Sequence, residues 1–166
     1  MIESKLTQFL IAQAKADQTR HSGRSLFDHL VGTHDLLQRW GNSEDICNAG
    51  LFHSIYGTVH FHHKAWPLTD RATIQRLIGH QAEYPAFLFC TIDRPRSLFE
   101  EIKSPAEWLI VAEDQPVRRI LREIEAANLL EQGSTSRWLA KLRDSDISDQ
   151  AKAAIDAHVT PDARTL

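Results

Sequence analysis

The sequence predicts an all-α fold, a single compact multi-helix domain. Three observations carry that expectation. Apolar residues return at steps of three and four through most of the chain, which is the spacing of one helix face. The periodic segments are separated by short links marked by glycine, proline or serine, with no internal repeat and no low-complexity tract. A chain of 166 residues, 42% hydrophobic and 25% charged, is long enough for one core and too apolar for intrinsic disorder.

The first helix is expected over 4–17, where Leu6, Phe9, Leu10 and Ala14 share a face. The polar stretch DQTRHSGR breaks it, with Gly23 as punctuation. Ser25 is placed to cap a second helix over 26–40. A serine oxygen there accepts from an otherwise unpaired N–H, and Asp28 in the first turn suits the positive end of the helix dipole. Leu26, Leu30, Thr33, Leu37 and Trp40 form its apolar stripe, and Gly41 follows as a C-terminal stop. Asn42 or Ser43 caps a third helix, EDICNAGLFHS, in which Ile46, Ala49, Gly50 and His53 share a face.

The stretch IYGTVHFHHKAWP reads as a loop despite the alternation in VHFH. Thr69 or Asp70 opens the helix RATIQRLIG. Gly79 is a joint, and HQAEYPAFLFCTID continues as helix with Pro85 near a first turn or at a kink. After the break DRPRS, the pair Ser104-Pro105 marks a helix start. PVRRILREIEAANLLEQ reads as an amphipathic helix; within it REIEAANLL has the charge pattern of a solvent-facing side, and the same face would equally suit packing on the core or on a second copy. Gly133 ends it, and helices over 134–144 and 147–158 precede a frayed terminus. Trp108 and Trp138 are core or interface residues.

Bulk properties exclude several function classes. A net charge of −3 gives no reason to expect nucleic acid. Cys47 and Cys90 lie in apolar stretches, outside any CxxC or zinc spacing, and read as small buried thiols. The opening MIESKLTQFLIAQAKAD has no charged-then-apolar leader, and no window reaches membrane-spanning length, so a soluble, cytoplasmic protein with no membrane partner is expected. Homo-oligomerisation stays open. The unusual count is nine histidines, eight of them from His21 to His80.

On a helical wheel His29 falls within the apolar stripe of the second helix and His53 beside Ile46, Ala49 and Gly50 on the third. Two inward histidines on consecutive helices can meet, and Gly50 lets the elements approach. Asp93 ends the apolar segment FLFCTID, where a carboxylate needs a partner. Two imidazoles and one carboxylate form a donor set for zinc, iron or manganese. Singly, each residue has a plainer reading: His29 and His53 as core histidines bonded to carbonyls, Asp93 as a turn or salt-bridge residue. Together they make a metal site the better expectation.

DHLVGTHDLLQRWGNSEDICNAGLFHSIYG, with the later CTIDR, resembles the HD-domain superfamily over about 24–94. That family is all-α and consists mostly of metal-dependent phosphohydrolases. The resemblance assigns His29 to the first histidine, His53, 24 residues later, to the histidine of the His-Asp pair, and Asp93 to the closing aspartate. It implies a divalent ion, Fe, Mn or Zn, held by His29, His53 and Asp93. It also implies a small-molecule substrate, phosphorylated in many members, with Arg24 on the phosphate. The departure is Ser54 in place of the paired aspartate. Serine is neutral and a poor ligand, which argues against a two-metal centre and leaves the two-histidine, one-carboxylate set of non-haem iron oxygenases.

Ser54, Tyr56 and Thr58 are candidate substrate contacts, although Tyr56 would equally cap a core and Gly57-Thr58 make a turn. His34 is a candidate partner behind the ligands. His60, His62 and His63 form a loop cluster able to supply a missing ligand, while His80 and Glu83 are weaker candidates. Two functions therefore stand as expectations: a single-metal-dependent hydrolase or oxygenase acting on a small molecule, or a metal-depleted, non-enzymatic domain that binds a small ligand or a protein partner.

Overall fold

The computed structural model describes residues 2–21, 23–99 and 115–159, and these form an all-α domain with eight α-helices and a two-stranded hairpin. α1 is Ser4–Gln8 and runs into a π-turn at Phe9–Gln13. The hairpin pairs β1, Arg20–His21, antiparallel with β2, Arg24–Ser25. Then come α2 (Leu26–Arg39), α3 (Glu44–Leu51), α4 (Arg71–Ile78), α5 (His80–Thr91), α6 (Gln115–Glu131), α7 (Trp138–Arg143) and α8 (Asp149–Val159). No helix of the described residues is long and apolar enough to cross a membrane.

Local chemistry accounts for most of these boundaries. The Ser25 hydroxyl oxygen accepts the Asp28 N–H at 3.0 Å, and its O–H donates to the Asp28 carboxylate at 2.7 Å, so the cap at the start of α2 is reciprocal. Gly79 sits at φ +82°, a left-handed conformation that favours glycine, and the joint it makes separates α4 from α5. The loop between α3 and α4 contains no strand. Two details depart from the sequence expectation. The first helix stops at Gln13 rather than continuing to 17, and the polar break after it folds as the short hairpin. The helix start at Ser104-Pro105, Trp108 and the frayed end at 160–166 lie outside the described residues.

The layers follow from burial. α2 packs on α3 and α6, and α3 packs on α5. Gly50 serves the α2–α3 contact by leaving room for Leu37, because a Cβ there would overlap Leu37 Cδ1. One part of the core gathers Leu6, Leu10, Leu26, Leu30, Phe52 and Ile74 around the N-terminal helices. The other gathers Leu37, Phe89, Ile92, Leu121, Ile124 and Leu142 around α6.

Of the two alternatives for α6, solvent-facing or packed, the stretch 121–128 takes the packed one: Glu123, Glu125 and Asn128 are buried along with Leu121, Ile124, Ala126 and Ala127. Its acids point to separate internal partners. Glu123 accepts from the Ser148 N–H at 2.9 Å and from Asn42 at 3.1 Å, tying α6 to the start of α8 and the end of α2. Glu125 accepts from Arg94 at 2.5 Å. A buried carboxylate persists when ionic or hydrogen-bonding partners replace its water, and each of these has them.

Candidate functional site

α2 and α3 bring His29 and His53 together. Both rings are fully buried, and their Nε2 atoms face each other at 3.0 Å with the ring planes at 76°. His53 Nδ1–H donates to the Gly50 carbonyl at 2.6 Å. His29 Nδ1 contacts the carboxylate of Glu131, on the last turn of α6. Arg24 completes the unit. Its guanidinium pairs with the same carboxylate and donates to the Glu131 carbonyl at 2.7 Å. Gly32, one turn after His29, leaves the space in which the Glu131 carboxylate lies, since a Cβ there would fall 2.6 Å from Glu131 Oε1.

Proton counting defines the chemistry of this unit. The chain of contacts from Glu131 to His29, His53 and the Gly50 carbonyl contains three hydrogen bonds and so needs three protons. Two neutral imidazoles and a carboxylate bring only two. Closing all three as hydrogen bonds takes one proton more than these groups bring when His29 and His53 are neutral and Glu131 is ionised, with His53 Nε2 as the acceptor of the middle bond. Burial, followed by the positive charge on His29, holds the His53 pKa well below the usual histidine value.

His21, on the hairpin, stacks on His29 with ring centroids 4.3 Å apart and planes at 8°. Phe61 meets the His21 ring edge-on at 4.6 Å. His21 Nδ1 is buried with no hydrogen-bond partner among the described residues. Burial and the adjacent His29 charge lower its pKa to about 4, so the ring is neutral at physiological pH. His21 also lines a groove of about 550 Å³ bounded by the hairpin, the loop after α3 and the end of α6. Ser54, Thr58, His60, Arg94 and Asn128 line it too. This groove has the size of a small-molecule site and gathers polar groups from distant parts of the chain.

The expected residues separate into three groups. His29 and His53 meet. Ser54 and Thr58 face the groove beside them. Asp93, Tyr56 and Arg24 do not take the expected places. α5 ends at Thr91, Ile92 is extended, and Asp93 is exposed on the following turn, where its carbonyl accepts the Ser97 N–H at 2.9 Å. The neighbour that turns inward is Arg94, which donates to the Phe89 carbonyl at 2.8 Å and to Glu125. Tyr56 points away from the groove and donates to Glu83 at 2.9 Å, with Arg71 and Gln75 on the same carboxylate. Arg24 is already committed to Glu131 and is not placed as an anion clamp.

The remaining histidines also stand apart. His34 contacts Asp35 at 3.1 Å, His60 donates to the Arg94 carbonyl at 2.9 Å, and His63 reaches Thr19 at 3.3 Å. His62 and His80 are exposed.

Tested against a divalent ion, the donor set falls short. A catalytic zinc-type site uses three protein ligands. His29 and His53 supply two, the Glu131 carboxylate lies on the other side of the His29 ring at Nδ1, the Phe89 ring lies against His53 at 5.0 Å, and no three His, Cys, Asp or Glu side chains among the described residues are arranged to hold a metal ion. Sequence reasoning missed Glu131, His21 and Arg94. Glu131 follows directly after the stretch REIEAANLL with no motif of its own, and the one available signal is that an inward His29 needs an acceptor.

No curated protein and no solved structure matches the chain. A family model, a domain of unknown function named DUF6817, matches residues 10–94, which hold His21, His29, His53, Ser54 and Arg94 but not Glu131. With half of its length under that match, the chain belongs to the DUF6817 family.

Proposed function

We propose that this domain binds a small polar molecule in the groove beside His21, and that its buried His29–His53 pair holds a proton rather than a metal ion. The observation that carries the reading is the groove itself: about 550 Å³, lined by Ser54, Thr58, His60 and Arg94, and floored by a histidine stacked on the proton-holding pair. A ligand near His29 and His53 is also what the resemblance to HD domains implies. The missing carboxylates, serine at 54 and an exposed aspartate at 93, favour the metal-depleted form of that resemblance.

The test has two measurements. Elemental analysis of protein purified without chelator should find no stoichiometric metal, and Fe(II), Mn(II) or Zn(II) should leave the melting temperature unmoved. A panel of small polar molecules screened by 1H–15N NMR should contain at least one that shifts the Ser54, Thr58 and His60 amides together in a saturable way. Stoichiometric metal with a raised melting temperature would overturn the proton-pair reading and return the single-metal hydrolase or oxygenase. A panel that leaves those amides in place would remove the ligand site.

A further inference from the structure

The groove lining has a surplus of donors, and the surplus comes from how its hydroxyls are already used. Thr58 Oγ1 accepts the N–H groups of His60 and Phe61, at 3.3 and 2.9 Å, which occupies both of its lone pairs. Its own O–H hydrogen is left to donate. Ser134 Oγ accepts the Ser136 N–H at 3.1 Å, and Ser136 Oγ accepts the Trp138 N–H at 3.3 Å, so these groove residues also spend acceptor capacity on the backbone. The Asn128 carbonyl oxygen is taken by Gln132 at 2.8 Å.

Charge points the same way. Arg94 lines the groove and is nearly fully buried. Nε and Nη1 are bonded to Phe89 and Glu125, while Nη2 has no partner among the described residues. Arg20, exposed on the hairpin, adds a second guanidinium, and Glu125 is the only carboxylate among the described lining residues. Beside these donors stand Phe61, Pro95, Leu129 and Trp138, which give the same groove an apolar portion.

We propose that the groove selects a small organic anion: a carboxylate or phosphate head bonded by Arg94, Arg20 and the Thr58 hydroxyl, on an apolar body covered by Phe61 and Trp138. The inference rests on the reading of the groove as a ligand site and adds the class of ligand. An acceptor-rich head satisfies N–H and O–H groups that the protein leaves without acceptors, and a guanidinium meets either kind of oxyanion in a paired geometry. A neutral hydroxyl in the same place would satisfy fewer of them and make no ion pair with Arg20.

The test uses the full chain and four probes: phenylacetate, phenyl phosphate, inorganic phosphate and the neutral 2-phenylethanol. Affinities come from calorimetry and the location of binding from 1H–15N NMR. At least one aromatic anion should bind at the Thr58 and Arg20 amides at least tenfold more tightly than the neutral alcohol. The tighter of phenylacetate and phenyl phosphate then identifies the head, and inorganic phosphate should bind more weakly than phenyl phosphate. R20Q should weaken the tighter anion at least threefold and leave the alcohol unchanged. The double variant R94Q/E125Q, which removes both members of the buried pair together, should do the same. Equal affinity for the alcohol and the anions overturns the anion class while leaving the ligand site in place. No shift from any probe at about 10 mM also overturns it, and the broader panel above then decides the ligand site separately.

Discussion

Replacing Glu131 by glutamine keeps the shape of the side chain and removes the charge that holds the additional proton on the His29–His53 pair. The Glu131 side chain is 4% exposed, so water does not make up the loss. A charge-assisted hydrogen bond to His29 is worth about 1.5–3 kcal/mol. The pair with Arg24, whose side chain is 41% exposed, adds no more than about 1 kcal/mol after solvent screening. The glutamine amide keeps an oxygen for Arg24 and turns its NH2 toward His29 Nδ1, so His29 then donates from Nε2 to His53 with one proton fewer and neutral bonds replace the charge-assisted ones. The expected destabilisation is about 1–3 kcal/mol, a sizeable share of the 5–15 kcal/mol typical of a domain.

At this chain length each kcal/mol moves the melting temperature by about 2–4 °C, so E131Q should melt roughly 2–12 °C below the parent. Urea titration at neutral pH, followed by circular dichroism, gives the free energy, and an unchanged m-value shows that compactness is preserved. Long-range 1H–15N NMR of the imidazoles gives the second readout. His29 should show two protonated nitrogens in the parent and one in E131Q. A loss below about 0.5 kcal/mol, the usual range of a surface substitution, would refute the reasoning. So would a parent His29 with only one protonated nitrogen.

Two further outcomes follow from the same contacts. Gly32→Ala gains about 1 kcal/mol of helix propensity in the middle of α2, but its Cβ takes the space of the Glu131 carboxylate, 2.6 Å from Oε1. The net expectation is a loss of about 1–3 kcal/mol in urea titration, and a stabilised variant would show that Glu131 does not depend on that gap. The second outcome concerns acid. His21 and His53 have folded-state pKa values below the usual 6.5, so both are neutral in the fold and take up protons on unfolding. Their contribution is fully present above about 6.5 and fades as pH falls, with His21 reaching the end of its range near 4. For fully buried His53 the slope approaches about 1.4 kcal/mol per pH unit. The urea midpoint should fall steadily from pH 7 to pH 4.5, and the double variant H21Q/H53Q should show a shallower dependence.

The helical class, the Ser25 cap, the joint at Gly79 and the inward direction of His29 and His53 could all be read from the sequence. Each depends on the spacing of near neighbours along one helix or on a residue type with a strong local preference. The tertiary structure alone decided what those two histidines meet. Glu131 lies 102 residues from His29, and the periodicity of α6 places its acids on a polar stripe without saying that the stripe is enclosed. The groove has the same origin, because its residues come from a hairpin, a loop and the end of a helix that approach only when α6 packs across α2. Asp93 shows the converse: its position beside an apolar run suggested burial, but the end of α5 two residues earlier turned Arg94 inward in its place. Short-range stereochemistry is written in adjacent residues. Which carboxylate neutralises which buried charge is set by the packing of whole helices, and a single sequence carries no local signal for it.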